Sequence, residues 1–227
     1  MRALLSPREP FPCTFAAVAA KNSSLRFGFV ESLHEIDTWW PLLDILSDYL
    51  KIYQKISRTT SLVIFFPSEK EPLAMTDYYQ KFWSILQFLH DNDPAAWPAS
   101  IPCQVDDKWW EFSFGGVPIF AVCSTPAHDR RRSRSSPAFL ITFQPRWVFE
   151  GLEVDTPRGA TARRVIRGRL RAYDEVEPSP ELGAYGDATN REWRQYFLPD
   201  NNQDPLPPCP FRHRGSSARR GTSGMPG

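Results

Sequence analysis

The sequence predicts a single α+β domain, with α/β as the variant it does not separate, in which helices pack around one mixed β-sheet containing a hairpin. Three observations carry this. Between residues 11 and 198, apolar residues recur alternately at helix spacing and at strand spacing. Gly115-Gly116, set between two apolar runs, marks a tight hairpin turn. No internal repeat or long Gly/Ser linker divides the stretch, and 227 residues is near the upper size for one hydrophobic core. Hydrophobic residues at 41% and charged residues at 23% describe a chain that can fold. The longest strictly apolar runs, such as Leu62 to Phe66, fall far short of the roughly 18 residues of a membrane helix. The expectation is a soluble protein that does not enter a membrane.

Taken in order, Phe15 to Ser23 reads as a short helix, and Leu25 to Val30 alternates as a strand with aromatic residues on one face. Thr38 is placed to cap a helix carrying Leu42, Leu43, Leu46, Leu50 and Tyr53 at helical spacing, ending before Thr59-Thr60. Ser61 to Phe66 is a continuous apolar run stopped by Pro67, the pattern of a central strand buried on both faces. From Thr76 a further helix presents Tyr79, Phe82, Trp83, Leu86 and Leu89, and Asp91 to Pro94 ends it. Trp110 to Phe114 and Val117 to Cys123 form the two arms of the hairpin, and Ala138 to Phe143 forms another strand. Thr161 to Tyr173 and Arg191 to Leu198 complete the helices. Residues 1–10 read as a flexible N-terminus, and 199–227, rich in Pro, Gly, Ser and Arg, as a disordered tail.

Net charge is +1, yet it is unevenly spread. Four arginines against one aspartate put +3 in residues 201–227 and leave −2 on residues 1–200. That balance argues against a nucleic-acid partner. Met1 to Leu5 begins like a signal peptide, but Ser6 to Pro10 interrupts it. Cys13, Cys103, Cys123 and Cys209 lie far apart with no metal-like spacing, so reduced thiols in a cytoplasm are expected. Phosphate-loop, dinucleotide, serine-hydrolase and zinc-protease signatures are all missing.

Four histidines limit imidazole ligation to His34, His90, His128 and His213. His34 belongs to a polar loop, and His213 to the expected tail. His90 closes a helix, where a histidine also complements the helix dipole. His128 follows a strand and directly precedes Asp129-Arg130-Arg131-Arg132-Ser133-Arg134, a place suited to holding an anionic group. The eight tryptophans serve equally well as core residues or as walls of a flat pocket. Arginine outnumbers lysine 21 to 6, and eleven of those arginines fall between Arg130 and Arg171 without one lysine. Arg163, Arg164, Arg167 and Arg171 repeat at helical spacing, as a solvated face or as partners of Glu175 and Glu177.

Several ordered segments together carry a resemblance: Phe11-Pro12-Cys13, Ser24 to Phe27, Leu62 to Phe66, Phe82 to Gln87, Trp97-Pro98, Trp110 to Gly116, Pro126-Ala127-His128, Arg132-Ser133-Arg134, Phe143 to Phe149 and Glu192 to Leu198. Across residues 11–198 the chain resembles the YqcI/YcgG family. Characterised relatives in that family look like haem-dependent N-hydroxylases that oxidise the guanidino nitrogen of arginine or a related amino acid in natural-product biosynthesis. The resemblance implies b-type haem, O2, an unidentified electron donor and a small guanidino substrate. It implies an iron ligand, for which His128 comes first and Cys13 and His90 are alternatives. It implies cations for the haem propionates or the substrate carboxylate, for which Arg132, Arg134 and Arg146 lie in the shared motifs and have the fork geometry that matches carboxylates. It implies a carboxylate to grip the guanidinium, for which Glu111 is first, ahead of Asp93 and Glu192. By alternation with Trp110 and Phe112, Glu111 is also readable as an outward-facing strand residue. A non-catalytic haem or small-molecule binder on the same fold is the alternative function.

Overall fold

Alternation along four strands generates a sheet whose two faces have different company. The computed structural model of the protein describes residue 6 and residues 9–214. The strands are β1 (Leu25–Phe29), β2 (Ser61–Phe65), β3 (Ser113–Phe114), β4 (Val117–Ser124) and β5 (Leu140–Pro145). Their spatial order is β1-β2-β5-β4-β3, with β1 parallel to β2 and the other pairs antiparallel. The expected α+β class, mixed sheet and hairpin are all present. Gly115 and Gly116 take φ of 60° and 73°, the left-handed values that a two-residue hairpin needs and that only glycine adopts cheaply.

Register places Leu62, Ile64, Ile119, Ala121, Cys123, Ile141 and Phe143 on the rear face. All of them are buried. Against them pack α2 (Pro41–Ile56), through Leu42, Leu46 and Tyr49, and α3 (Met75–Asp91), through Tyr78, Phe82, Ile85, Leu86 and Leu89. The approach of α2 to β1 is close. A Cβ on Gly28 would stand 2.6 Å from Ile64 Cδ1 and 2.8 Å from Ile45 Cγ2, so any side chain there would force the Ile64 and Ile45 side chains to shift.

Several expectations need correction. Thr38 does not cap α2, which begins with Pro41 in its first turn. Its hydroxyl instead donates to Ser32 and Glu35 carbonyls inside a short 3-10 turn, Ile36–Trp39. β2 is central but not closed on both faces, because Val63 and Phe65 on its front are only partly covered. Of Arg191 to Leu198, only Glu192–Gln195 forms a 3-10 turn. It is followed by Tyr196, whose hydroxyl accepts from the Phe112 N–H and donates to the Ile119 carbonyl.

Residues 199–202 are held by the Asp129 to Arg131 turn, and residues 207–214 pack against α3. Phe211 and Cys209 are buried, Tyr79 donates to the Pro207 and Pro208 carbonyls, and the Arg212 N–H donates to Gln87. The remainder of the expected tail, 215–227, and residues 1–5 and 7–8 of the expected flexible start lie outside the described residues. In front of the sheet stand α1 (Thr14–Lys21) and α4 (Pro157–Tyr173), the latter capped by Thr156, whose hydroxyl accepts from the Gly159 N–H. Among the described residues no helix is long and apolar enough to cross a membrane.

Candidate active site

Between the front of the sheet and α4 lies a cavity of about 630 Å³, inside the roughly 300–1,000 Å³ range of small-molecule and cofactor sites. Its floor is the front of the strands: Leu25, Phe27, Val63, Phe65, Phe120, Val122 and Leu140. Its roof includes Ala162, Ile166 and Leu170, which recur every four residues along one side of α4. None of the eight tryptophans borders it. Trp39, Trp83 and Trp110 belong to the rear core instead.

At the end of β5 the cavity meets a three-residue charge cluster. Arg146 donates from Nε to Glu111 Oε2 at 2.7 Å and from Nη2 to Glu111 Oε1 at 2.6 Å. The same Nη2 donates to Glu192 Oε1 at 2.6 Å. Arg146 also lies 3.7 Å above the Tyr185 ring. Glu111 is fully buried, so alternation does turn it away from Trp110 and Phe112, but into the protein and not into solvent. Burial, offset by Arg146 and reinforced by Glu192, pushes the Glu111 carboxyl up to about 7. Burial works against the Arg146 charge, yet the two carboxylates outweigh it and hold the guanidinium firmly protonated. The guanidinium that Glu111 grips is therefore the protein's own.

Towards the other end of β4, the cavity wall is made of hydroxyls and buried cations: Ser124, Ser133, Ser135, Ser136, Arg131 and Arg134. Among the described residues Arg134 donates only to backbone carbonyls, those of Cys123, Gln195 and Tyr196, and burial lowers its pKa to about 10. Arg131 is 1% exposed, donates to the Pro199 carbonyl and to Asn202, and keeps Nη1 without a partner among the described residues. Asp174 and Asp200 act on Arg131, and Asp174 on Arg134, through their charge, but neither arginine forms a direct ion pair among the described residues, which leaves both suited to an anionic ligand.

Cys13 lines the same cavity. It is the N-cap of α1, and its Sγ accepts the Ala16 N–H at 3.4 Å. Burial raises the thiol pKa, while the Ala16 and Phe15 N–H groups and the charges of Arg134 and Arg169 pull it down. A metal bound to sulfur would remove the proton and leave those stabilising groups in place.

The other ligand candidates lie elsewhere. His128 does not border the cavity, and both of its ring nitrogens are engaged, Nδ1 with the Thr125 hydroxyl at 2.9 Å and Nε2 with the Leu198 carbonyl at 2.8 Å. Burial pushes its pKa down to about 4, so it is a neutral pin between a turn and the Tyr196 segment. His90 sits behind the sheet among Trp97, Phe211 and His213, and its Nε2 accepts the Arg214 N–H. Asp93 accepts from Ala95 and Gly115 N–H groups there. Arg132 points outward, 2.8 Å from Glu9 and over the Tyr173 ring. Of the three arginines expected to hold propionates, Arg134 and Arg146 reach the cavity. Of the helical arginines, Arg171 pairs with Glu177, and Arg163 caps the carbonyls of residues 152–154.

The YqcI/YcgG family profile matches residues 1–212. The chain belongs to the YqcI/YcgG family. It is 42% identical over 204 residues to "Uncharacterized protein YqcI" of Bacillus subtilis (strain 168), covering 88% of this chain and 80% of that one. It is 40% identical over 208 residues to "Uncharacterized protein YcgG" of the same organism, covering 90% and 82%. It is 34% identical over 216 residues to "Putative N(omega)-hydroxy-L-arginine synthase DcsA" of Streptomyces lavendulae, covering 91% and 79%. No solved structure matches the chain.

For this YqcI/YcgG member, sequence reasoning named Arg131 and Ser133 only within the basic run after His128, without singling them out, and passed over Tyr185, Ser135 and Ser136. The alternation of Arg and Ser in Arg131 to Ser136 was the available signal for a hydroxyl-and-cation wall. Tyr185, in an irregular stretch, carried none.

Proposed function

We propose that this YqcI/YcgG protein is a haem-dependent monooxygenase that N-hydroxylates the guanidino group of arginine or a related amino acid. The observation that carries the reading is Cys13: among the three weighed iron ligands, it alone faces the apolar cavity. When bound there, haem supplies O2 binding and O–O cleavage, which a thiolate ligand favours by donating electron density. Cys13 would hold the iron, with its charge stabilised by the α1 N-terminus and by Arg134. Arg131 and Arg134, with the Ser135 and Ser136 hydroxyls, would receive the propionates. The strand floor and α4 would keep water from the reacting atoms.

In the reaction, one atom of O2 enters an N–H bond to give N–OH and the other leaves as water. Two electrons and two protons come from a separate reductant. The name of the Streptomyces relative supports the substrate class. The test is an absorption spectrum of protein expressed with haem supplied. A Soret band lost in Cys13→Ser but kept in His128→Gln is expected, and a band indifferent to Cys13 overturns the ligand. Incubation with arginine, reductant and O2 should then give a product heavier by one oxygen, and its absence would leave a non-catalytic binder.

A further inference from the structure

Arg146 satisfies both oxygens of Glu111 but only one of Glu192. The second Glu192 oxygen accepts no hydrogen bond from any described residue, although the residue is 4% exposed and forms part of the cavity wall. That oxygen keeps accessible surface at the cavity wall and takes no donor from the described protein, so it is available to an N–H of whatever occupies the cavity. From this we infer that Glu192 is the specificity-determining residue of the cavity: its free oxygen takes an N–H of a cationic head group, and Arg146 positions the carboxylate to receive it. The inference rests on the proposed function for what enters the cavity, and moves the grip from Glu111 to Glu192.

Charge explains why two carboxylates share one arginine. With both ionised, the cluster carries one negative charge, and an arriving guanidinium or amidinium neutralises it. A neutral isostere such as a ureido group offers the same N–H groups without that gain. Facing Glu111 are Arg146 and Glu192 together with Tyr185 and Tyr196, and burial keeps both tyrosines protonated. Glu111 is therefore the group that exchanges a proton near neutrality. A bound cation favours its ionised form, so cation binding releases a proton and tightens as pH rises.

The test is calorimetric titration of the full-length protein with L-arginine and with L-citrulline, its neutral isostere, at pH 6, 7 and 8. Arginine is expected to bind at least about tenfold more tightly than citrulline, and to gain about tenfold between pH 6 and pH 8 while citrulline does not. Glu192→Gln leaves the Arg146 to Glu111 pair intact, so it should keep the wild-type far-UV spectrum and lose the preference for arginine. Glu192→Asp should keep the preference at lower affinity. Equal binding of the two ligands, arginine binding unchanged in Glu192→Gln, no pH dependence, or no binding of arginine at all would each overturn the inference. A Soret band without the arginine preference removes this inference alone. The preference in protein that takes up no haem removes the haem reading alone.

Discussion

Behind the sheet, Ile64, Ile119, Ala121, Cys123, Ile141 and Phe143 are at most 1% exposed and meet α2 and α3 directly. In front, Val63, Phe65, Phe120, Val122 and Leu140 come from the same strands, one residue out of phase, and remain partly uncovered. The rear face converts apolar area into stability. On the front, α1 and α4 stand off the strands, and the margins carry two buried arginines, a thiol and a three-residue charge cluster. A sheet face that spent its apolar residues on folding would have no room for those groups. The difference assigns stability to one face and ligand chemistry to the other.

The largest expected effect breaks the front margin. Arg146→Ala leaves Glu111 and Glu192 buried without their cation, a change that typically costs about 3–5 kcal/mol. Urea unfolding should show that loss, and a stability within about 1 kcal/mol of wild type would mean that water or another donor serves the carboxylates. Phe82→Ala and Phe120→Ala then compare the faces directly. Phe82 is 0% exposed and its removal should cost about 3–5 kcal/mol. Phe120 faces the cavity, where less of its surface is packed, and should cost under about 2 kcal/mol while weakening ligand uptake. Equal costs would erase the distinction between faces.

The two sides also differ in their response to pH. His128 has its pKa pushed down to about 4 by burial, so the unfolded chain takes a proton below about 6.5 that the folded chain refuses. Stability is lost as pH falls from about 6.5 towards 4, by an upper limit of about 3 kcal/mol. Glu111 acts in the opposite sense: raised to about 7, it favours the fold when protonated, and that contribution fades as pH rises from about 4.5 to 7. His128→Gln should flatten the acid side of a stability profile and Glu111→Gln the neutral side. A His128→Gln profile with the wild-type slope would show that His128 is charged in the fold.

The same contrast explains what was legible in the sequence. The strands and the hairpin were, because alternation and Gly115-Gly116 are local signals. The cavity was not, since it is a gap between elements far apart in the chain. Glu111 and Arg146 were both singled out, but nothing local shows that they hold each other across 35 residues. The engagement of His128 was not legible either, because its partner, the Leu198 carbonyl, lies 70 residues away. Phe211 was hidden in a Pro- and Arg-rich stretch whose composition reads as disorder, although that one ring fills a gap beside Trp110 and Phe112.

The smallest expected effect concerns two arginines that the sequence treats alike. Arg132 and Arg134 flank Ser133 in one 3-10 turn, and their side chains leave it in different directions. Arg132 meets Glu9 at the surface, so Arg132→Gln removes an exposed pair worth about 0.5 kcal/mol or less. It should leave haem uptake and arginine binding unchanged. Arg134→Gln removes a buried cation from three carbonyls and from the neighbourhood of Cys13, and should lower haem affinity and slow alkylation of Cys13 in haem-free protein. If Arg132→Gln instead weakened haem uptake as much as Arg134→Gln, the anion would be held from outside the cavity. The front face would then be a surface groove, and the contrast with the rear face would reduce to exposure alone.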